Sequence, residues 1–289
     1  MNADEAAEAL PRLALASLIL PALAVTLLTF LWPLLRLAGY AFHEGAPGGA
    51  IGADWTLVTW AKVLGDGWHH RLVLNSLALA ATVTALTLAA AYPLALAVHR
   101  SPPRWRNTLV IVFVSPLLLS AVVRSYGWLP ILGDQGVVPG LLRSAGIEPP
   151  PLLFNGTGVV VGLVEILMPY AILSLLAGFG RVAGDLEDAA ASLGAPPFTV
   201  FRRVILPLSA PGILLGGLLT FVLTVGSFVT PKLLGGGRVP LIATEIHDQA
   251  IVTLDWPVAA VLSLVTLLLF GVLLGAYGRV IRRVEEAIG

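Results

Sequence analysis

The chain contains the stretch Leu186-Glu187-Asp188-Ala189-Ala190-Ala191-Ser192-Leu193-Gly194, which is followed by Val204-Ile205-Leu206-Pro207. This polar stretch favours a helix, yet it lies between two long apolar runs. A connection between membrane spans does not need so many charges, so the composition indicates a segment that another protein contacts in the cytosol. The pattern therefore predicts a membrane protein on which a cytosolic partner acts.

The overall composition is that of an integral membrane protein. Of the 289 residues, 57% are hydrophobic and 12% are charged, and the mean hydropathy is +0.90. So few charges cannot solvate the surface of a soluble domain of this size. The formal net charge of +0 gives no electrostatic reason to expect nucleic-acid binding. The absence of cysteine excludes disulfides and cysteine-ligated metal sites.

Six apolar runs are candidates for spanning helices, each of which needs about 20 residues. They are Leu13–Leu35, Leu72–Val98, Leu109–Val123, Gly158–Phe179, Ala210–Val229 and Val258–Tyr277. The start of the chain, Met1 to Glu5, is acidic where a signal peptide would be basic, so the first run is expected to be a retained span. We therefore predict an all-α integral membrane fold, a single domain over residues 1–289 with six transmembrane helices.

Basic residues predict the orientation of these spans. Three arginines lie between Arg100 and Arg106, and three more lie between Arg279 and Arg283, directly beside spans. Because such residues favour the cytosolic side, both termini are expected to be cytosolic. The longer connections then lie outside the membrane, with short interfacial helices expected around Trp55–Leu64 and Gly136–Arg143.

Residues 185–207 predict a helix-turn-helix elbow in the cytosol. Asp185 suits the N-cap of the first helix, and Gly194 suits the left-handed position at its end. Ala195 precedes two prolines, which force an extended turn, and Pro197 can open a second helix. The consecutive alanines leave one face of the first helix smooth, so another protein could approach it closely. An amphipathic linker on the lipid surface is the alternative interpretation.

The order of residues in this elbow resembles the EAA loop of ABC-importer permeases. That loop has a glutamate and two alanines, then a glycine, and further on isoleucine-x-leucine-proline. Here Asp188 stands at the glutamate position with Glu187 beside it, and Val204 stands at the isoleucine position. The resemblance implies that the elbow couples the chain to an ATPase through seven residues. They are Glu187, Asp188, Ala189, Ala190, Gly194, Leu206 and Pro207.

Further segments resemble the spermidine/putrescine-type permeases of this family. They are Pro116-Leu117-Leu118-Leu119, Arg124-Ser125-Tyr126-Gly127-Trp128, Gly133-Asp134-Gln135-Gly136, and Gly235-Gly236-Gly237 leading to Asp255-Trp256-Pro257. The resemblance implies a type I ABC importer permease architecture in the bacterial inner membrane. It also implies as partners a second similar permease subunit, two cytosolic ATPase subunits and an extracytosolic substrate-binding protein, besides the lipid bilayer.

The sequence contains no motif for catalysis. It has no Gly-x-x-x-x-Gly-Lys-Ser/Thr loop for a nucleotide, no His-Glu-x-x-His pattern for a metal and no Gly-x-Ser-x-Gly nucleophile. We therefore expect a pore-forming subunit that is not an enzyme and binds no cofactor or metal. ATP and magnesium would belong to the partner ATPase.

Glu165 is the leading candidate for the substrate path. A carboxylate inside a span is costly and is expected to face the interior of the helix bundle or an aqueous cavity. An ionised Glu165 would attract a cation, whereas a protonated one would have only a structural, hydrogen-bonding role. Arg124 could pair with Glu165 or Asp134, contact the partner subunit, or meet an anionic group of the cargo.

Aromatic and acidic side chains are expected at the outer mouth, where cation-π contacts and ion pairs suit ammonium groups. They are Tyr126, Trp128, Asp134, Asp248, Asp255 and Trp256. Interface aromatics and solvated loop charges are the alternative interpretation. The predicted cargo is a polyamine moved by alternating access, with 4-aminobutyrate, an aminophosphonate and ferric iron as alternatives. The competing functions are an ATP-independent carrier or channel that uses Glu165, and an assembly subunit of a membrane enzyme complex.

Overall fold

The computed structural model describes residues 3–46, 49–180, 186, 189–190 and 192–288, with the backbone alone at residues 3–16, 18, 284–285 and 287–288. Helices make up most of this part of the chain. They are α1 (Ala3–Tyr40), α2 (Val58–Gly65), α3 (Gly67–Arg100), α4 (Pro103–Val114), α5 (Ala121–Leu132), α6 (Val137–Ser144), α7 (Gly156–Phe179), α8 (Pro197–Val200), α9 (Leu206–Leu208), α10 (Ala210–Val225), α11 (Val229–Leu234), α12 (Ile242–His247) and α13 (Trp256–Ile288). The strands β1 (Gly45–Ala46) and β2 (Ala50–Ile51) form an antiparallel hairpin.

Within the described ranges, four helices are long and apolar enough to cross a membrane, and the number rises to six if each of two bent pairs forms one span. The four are Ile19–Tyr40, Gly67–Arg100, Gly156–Phe179 and Trp256–Arg283. The bent pairs are Pro103–Leu118 with Ala121–Ser144, at 97°, and Pro197–Leu208 with Ala210–Val225, at 63°. The all-α membrane fold is confirmed, while the count of six and the cytosolic termini stay predictions.

The third expected span, Leu109–Val123, is interrupted. Helix α4 passes into a 3₁₀ turn over Ser115–Leu118, and α5 begins at Ala121. Pro116 has no amide hydrogen to continue an α-helix. Ser120 then acts as an N-cap, because its hydroxyl accepts a hydrogen bond from the Val122 amide at 3.3 Å. These two residues replace one straight span with a sharp bend.

Two compact units make up the described chain. One comprises residues 1–65 with 249–264, and the other comprises residues 66–248 with 265–289. In the first unit, the hairpin leads into an aromatic cluster in which Phe42 stacks on Trp55 with 5.7 Å between ring centroids. The Thr56 amide donates to the Phe42 carbonyl at 2.7 Å and fixes this turn. The expected single domain over residues 1–289 stays a prediction.

In the second unit, α3, α7 and α10 pack around a buried core. Leu175 and Phe179 of α7 are fully buried against Ala91 and Ala95 of α3. Helix α10 approaches α7 so closely that a Cβ atom added to Gly178 would lie 2.7 Å from the Cα of Gly212. Small residues allow such backbone contact between membrane helices. This three-helix core positions the candidate site.

Candidate functional site

Glu165 lies on α7 at the edge of a groove of about 490 Å³. Helix α7 is fixed at its start by Asn155, whose side-chain oxygen accepts hydrogen bonds from the amides of Thr157 and Gly158 at 2.8 and 3.2 Å. The described lining of the groove is Leu86, Ala90, Trp128, Val160, Val161, Val164, Glu165 and Met168. Among these residues Glu165 alone is charged, so the groove combines apolar walls with one carboxylate.

Arg124 of α5 forms an ion pair with Glu165. Its Nε and Nη2 atoms both donate to Glu165 Oε1, at 3.2 and 2.5 Å. The second carboxylate oxygen, Oε2, accepts a hydrogen bond from Trp128 Nε1 at 3.3 Å. Of the pairings considered for Arg124, the structure shows the one with Glu165. It also brings Trp128, another predicted path residue, to the same carboxylate.

The Arg124 guanidinium also contacts the backbone. Nη2 donates to the Glu165 carbonyl at 2.9 Å, and Nη1 donates to the Pro116 carbonyl at 3.4 Å. The Arg124 side chain is only 8% exposed, against 35% for Glu165. One buried side chain therefore ties α5 to α7 and to the 3₁₀ turn that precedes the bend. The contact with Pro116 depends on the interruption of the span, which periodicity did not reveal.

Tyr126 and Asp134 are not joined to Glu165 by any of the described hydrogen bonds. Tyr126 is 55% exposed on α5. Asp134 is exposed beyond α5, and its backbone carbonyl accepts a hydrogen bond from Arg143 Nη1 at 2.9 Å. A role for either residue in the substrate path stays a prediction.

Asp255 and Trp256 belong to the unit that holds residues 1–65 and 249–264. Asp255 Oδ1 accepts a hydrogen bond from the Val258 amide at 3.2 Å, so the carboxylate caps α13. The same oxygen lies so close to Gly45 that a Cβ atom there would be 2.8 Å away. Trp256 begins α13 and is 37% exposed. Asp255 thus has a local structural role, whatever it does for a cargo.

Asp248 is part of a polar cluster that sequence reasoning missed. Lys232 Nζ donates to Asp248 Oδ1, and His247 Nδ1 lies 3.2 Å from the same oxygen and 3.1 Å from Lys232 Nζ. The Phe228 ring stacks on His247 at 5.0 Å. Partial burial raises the pKa of Asp248, but the hydrogen bonds from Lys232 and His247 lower it more, so its pKa lies below the ordinary value. Asp248 is therefore paired within the chain.

The described part of the first arm of the elbow ends in a tight turn. Leu186, Ala189, Ala190 and Ser192 are helical, and Gly194 has a φ of 78°. The Ala195 amide donates to the Ala190 carbonyl at 3.1 Å, which is the closing bond of a Schellman motif. Glu187 and Asp188, two of the predicted coupling residues, and Asp185 lie outside the described residues.

The second arm of the elbow contains a wide turn. Between α8 and α9, residues Phe201–Ile205 form a π-helix, and the Leu206 amide donates to the Phe201 carbonyl. Pro207 has no amide hydrogen, and in an α-helix its ring would clash with the carbonyl of Arg203. The wider turn makes room for that ring, so the proline of the motif explains the local geometry.

The elbow has one buried and one exposed side. Ile205 and Val200 are buried in the core between α3 and α7, and Ala190 packs partly against it. Leu193 and Phe198 are 89% and 72% exposed. Leu206 and Pro207 are also exposed. The elbow is thus attached to the spans on one side and offers apolar side chains on the other.

Tyr92 of α3 connects the elbow to the core. Its hydroxyl lies 3.0 Å from Ser209 Oγ, just after α9. Its ring meets those of Phe179 and Phe201 edge-on, at centroid distances of 5.4 and 5.8 Å. Nothing in the sequence pattern singled out Tyr92, because its partners are distant along the chain. A tyrosine near the end of an apolar run was the one available signal.

Comparison with known proteins identifies the class of this chain. Residues 91–286 match the family described as binding-protein-dependent transport system inner membrane component. The chain is 33% identical over 213 residues to the spermidine/putrescine transport system permease protein PotB of Haemophilus influenzae, covering 73% of this chain and 74% of the relative. The chain therefore belongs to the family of inner membrane components of binding-protein-dependent transport systems.

Two further similarities bear on fold and cargo. The chain is 35% identical over 220 residues to the molybdenum transport system permease protein ModB of Mycobacterium bovis, covering 75% of this chain and 81% of the relative. The crystal structure of a bacterial ABC transporter involved in the import of the acidic polysaccharide alginate contains a chain of the same fold. The TM-score is 0.76 at 18% identity, covering 96% of this chain and 99% of the other. The chain is thus an ABC transporter permease.

Proposed function

We propose that this chain is a permease subunit of an ATP-driven importer that carries polyamines such as spermidine and putrescine across the bacterial inner membrane by alternating access. The observation that carries the choice of cargo is the 33% identity, over 73% of the chain, to a permease named for spermidine and putrescine. The groove beside α7 supports the same choice. Its apolar lining, its indole and its carboxylate suit the methylene chain and ammonium groups of such a cargo.

The proposed assembly contains a second similar permease, two cytosolic ATPase subunits and an extracytosolic binding protein. Hydrolysis of ATP would occur on the ATPases, which would bind ATP and magnesium, and this chain would perform no chemistry. The exposed side chains of Leu193 and Phe198 offer an apolar contact for an ATPase. The residues proposed to make that contact are Glu187, Asp188, Ala189, Ala190, Gly194, Leu206 and Pro207.

The charge arrangement at the groove favours a cation over an oxyanion. An oxyanion would need a free guanidinium, but Arg124 is buried and donates to Glu165. Glu165 is the more exposed partner of the pair. The similarity to a molybdenum permease keeps anionic cargo in the test, together with 4-aminobutyrate, an aminophosphonate and ferric iron. An ATP-independent carrier is the alternative from another class, and it would have no use for the elbow.

The test is transport by the purified complex in proteoliposomes, with the partner permease, the ATPases and the binding protein present. We expect ATP-dependent uptake of radiolabelled putrescine and spermidine, little uptake of molybdate or 4-aminobutyrate, and none without ATP. Uptake of molybdate alone would overturn the choice of cargo. Uptake that continues without ATPase subunits would overturn the importer mechanism.

A further inference from the structure

The carboxylate of Glu165 has a covered side and an open side. Oε1 accepts two hydrogen bonds from Arg124, whereas Oε2 accepts one from Trp128 Nε1 at 3.3 Å among the described contacts. Trp128 and Glu165 both line the groove, and Arg124 is not among the described lining residues. The cation that neutralises Glu165 therefore lies behind it, away from the space through which a cargo would approach.

This ion pair controls the charge that the groove presents. Together the two side chains carry no net charge, so a carboxylate already matched by a guanidinium attracts a second cation weakly. A free carboxylate in the same apolar surroundings would attract one strongly. The affinity of the groove for a cation thus depends on whether Arg124 holds Oε1.

Arg124 also keeps acceptors that do not involve the carboxylate. Its Nη2 and Nη1 atoms donate to the backbone carbonyls of Glu165 and Pro116, at 2.9 and 3.4 Å. A buried guanidinium with no acceptor would be very costly. Because these two carbonyls would remain, Arg124 can give up the carboxylate without losing every hydrogen bond.

We propose that Arg124 is the resident counter-ion of Glu165, and that an ammonium group of a cationic cargo takes its place at the carboxylate during transport. This inference rests on the proposed function, because it requires a cationic cargo. The incoming ammonium pairs with Glu165 beside the Trp128 indole, while Arg124 stays on the two carbonyls. When the cargo leaves, Arg124 pairs with Glu165 again, so the free carboxylate does not trap the cargo in the membrane.

The test measures equilibrium binding of radiolabelled putrescine to the complex of permeases and ATPases in lipid nanodiscs, without the binding protein. In Arg124→Gln the carboxylate has lost its competitor, so putrescine is expected to bind at least about ten-fold more tightly than to the wild type. Glu165→Gln is expected to abolish binding. The double variant R124Q/E165Q should behave like Glu165→Gln. Arg143→Gln is the matched control, since Arg143 is exposed and bonds the Asp134 carbonyl, and its affinity should equal that of the wild type.

Several results would overturn the inference. One is an Arg124→Gln complex that binds putrescine no more tightly than the wild type, and another is a double variant with wild-type affinity. If Arg124→Gln fails to assemble, Arg124→Lys serves instead. It keeps the charge but loses the planar fork, so we expect affinity between those of wild type and a free carboxylate, and unchanged affinity contradicts the proposal.

Transport by the wild type separates this inference from the proposed function. If the complete complex imports putrescine but the Arg124 variants show no gain in affinity, only the counter-ion role fails. If the complete complex does not import putrescine, the polyamine function fails, and the counter-ion role fails with it.

Discussion

Gly178 of α7 and Gly212 of α10 touch through their backbones. A Cβ atom on Gly178 would lie 2.7 Å from the Gly212 Cα, and one on Gly212 would lie 2.8 Å from the Gly178 Cα. The obstacle on each side is main chain, which cannot move aside as a side-chain tip can. The elbow joins α10 just before this crossing, so the contact fixes the position from which any movement of the elbow reaches α7.

Gly178→Ala is therefore expected to destabilise the purified complex by about 1–3 kcal/mol, because the added methyl group forces the two helices apart. The measurement is thermal unfolding in detergent, together with the yield of assembled complex. Gly217→Ala in α10 is the matched control, since its Cβ would meet only the tip of Leu88, at 3.4 Å. Equal melting temperatures for the two variants would show that the crossing tolerates separation.

Tyr92→Phe is expected to weaken communication between the elbow and the spans. The change removes the hydroxyl bonded to Ser209 but keeps the aromatic packing, at a cost of about 1 kcal/mol. Ser209 Oγ would still donate to the Leu206 carbonyl at 3.1 Å, so the local fold should persist. We expect the stimulation of ATP hydrolysis by the binding protein to fall by about two- to five-fold, matching that cost. Tyr170→Phe, on the more exposed part of α7, should leave stimulation unchanged.

Gly194 allows strain to be separated from docking. Its φ of 78° is left-handed, so Gly194→Val is expected to distort the turn at a cost of about 1–2 kcal/mol. Asparagine tolerates this conformation, and within the described chain a Cβ at Gly194 has nothing within 4 Å. Gly194→Asn should thus keep the permease stable.

A seated ATPase would nevertheless meet the new side chain of Gly194→Asn. We expect this variant to insert normally, to retain less ATPase on purification and to import less putrescine. Normal uptake and full retention of the ATPase in both Gly194 variants would remove the elbow from the coupling mechanism.

The Lys232 and Asp248 pair predicts a dependence of stability on pH. Because the pKa of Asp248 is lowered in the folded chain, its contribution to stability is complete above its ordinary pKa and is lost as the pH falls through the lower, folded value. Asp248→Asn should therefore reduce the melting temperature at pH 7, and the difference from wild type should disappear in strong acid. A difference that persists at the acidic end would mean that charge is not its origin.

The sequence predicted the features that depend on local pattern. Apolar runs located the principal helices, since burial in lipid requires long apolar segments whatever the tertiary packing. The glycine at position 194 predicted the turn that the backbone adopts there, because few other residues accept a positive φ. Gly194 and Pro207 thus carry their structural meaning in their own chemistry.

Features that depend on pairing across the fold could not be predicted to the same degree. Arg124 and Glu165 are 41 positions apart, and hydropathy could only suggest that each needs a partner. The carbonyl of Pro116 became the third anchor because the helix breaks there, and the expected unbroken span concealed it. Lys232 and Asp248 were likewise too far apart in sequence to be paired by spacing alone.

The wide turn at Phe201–Ile205 also decides which way the second arm of the elbow faces. In a regular α-helix, residues seven apart differ in direction by only about 20°, so Phe198 and Ile205 would share one face. The additional residue in the turn rotates everything beyond it by about 100°. Phe198 is accordingly 72% exposed while Ile205 is 0% exposed. A helical wheel drawn through the motif would therefore assign the partner-facing and core-facing side chains to the same stripe, whereas the proline-induced offset sends them in different directions.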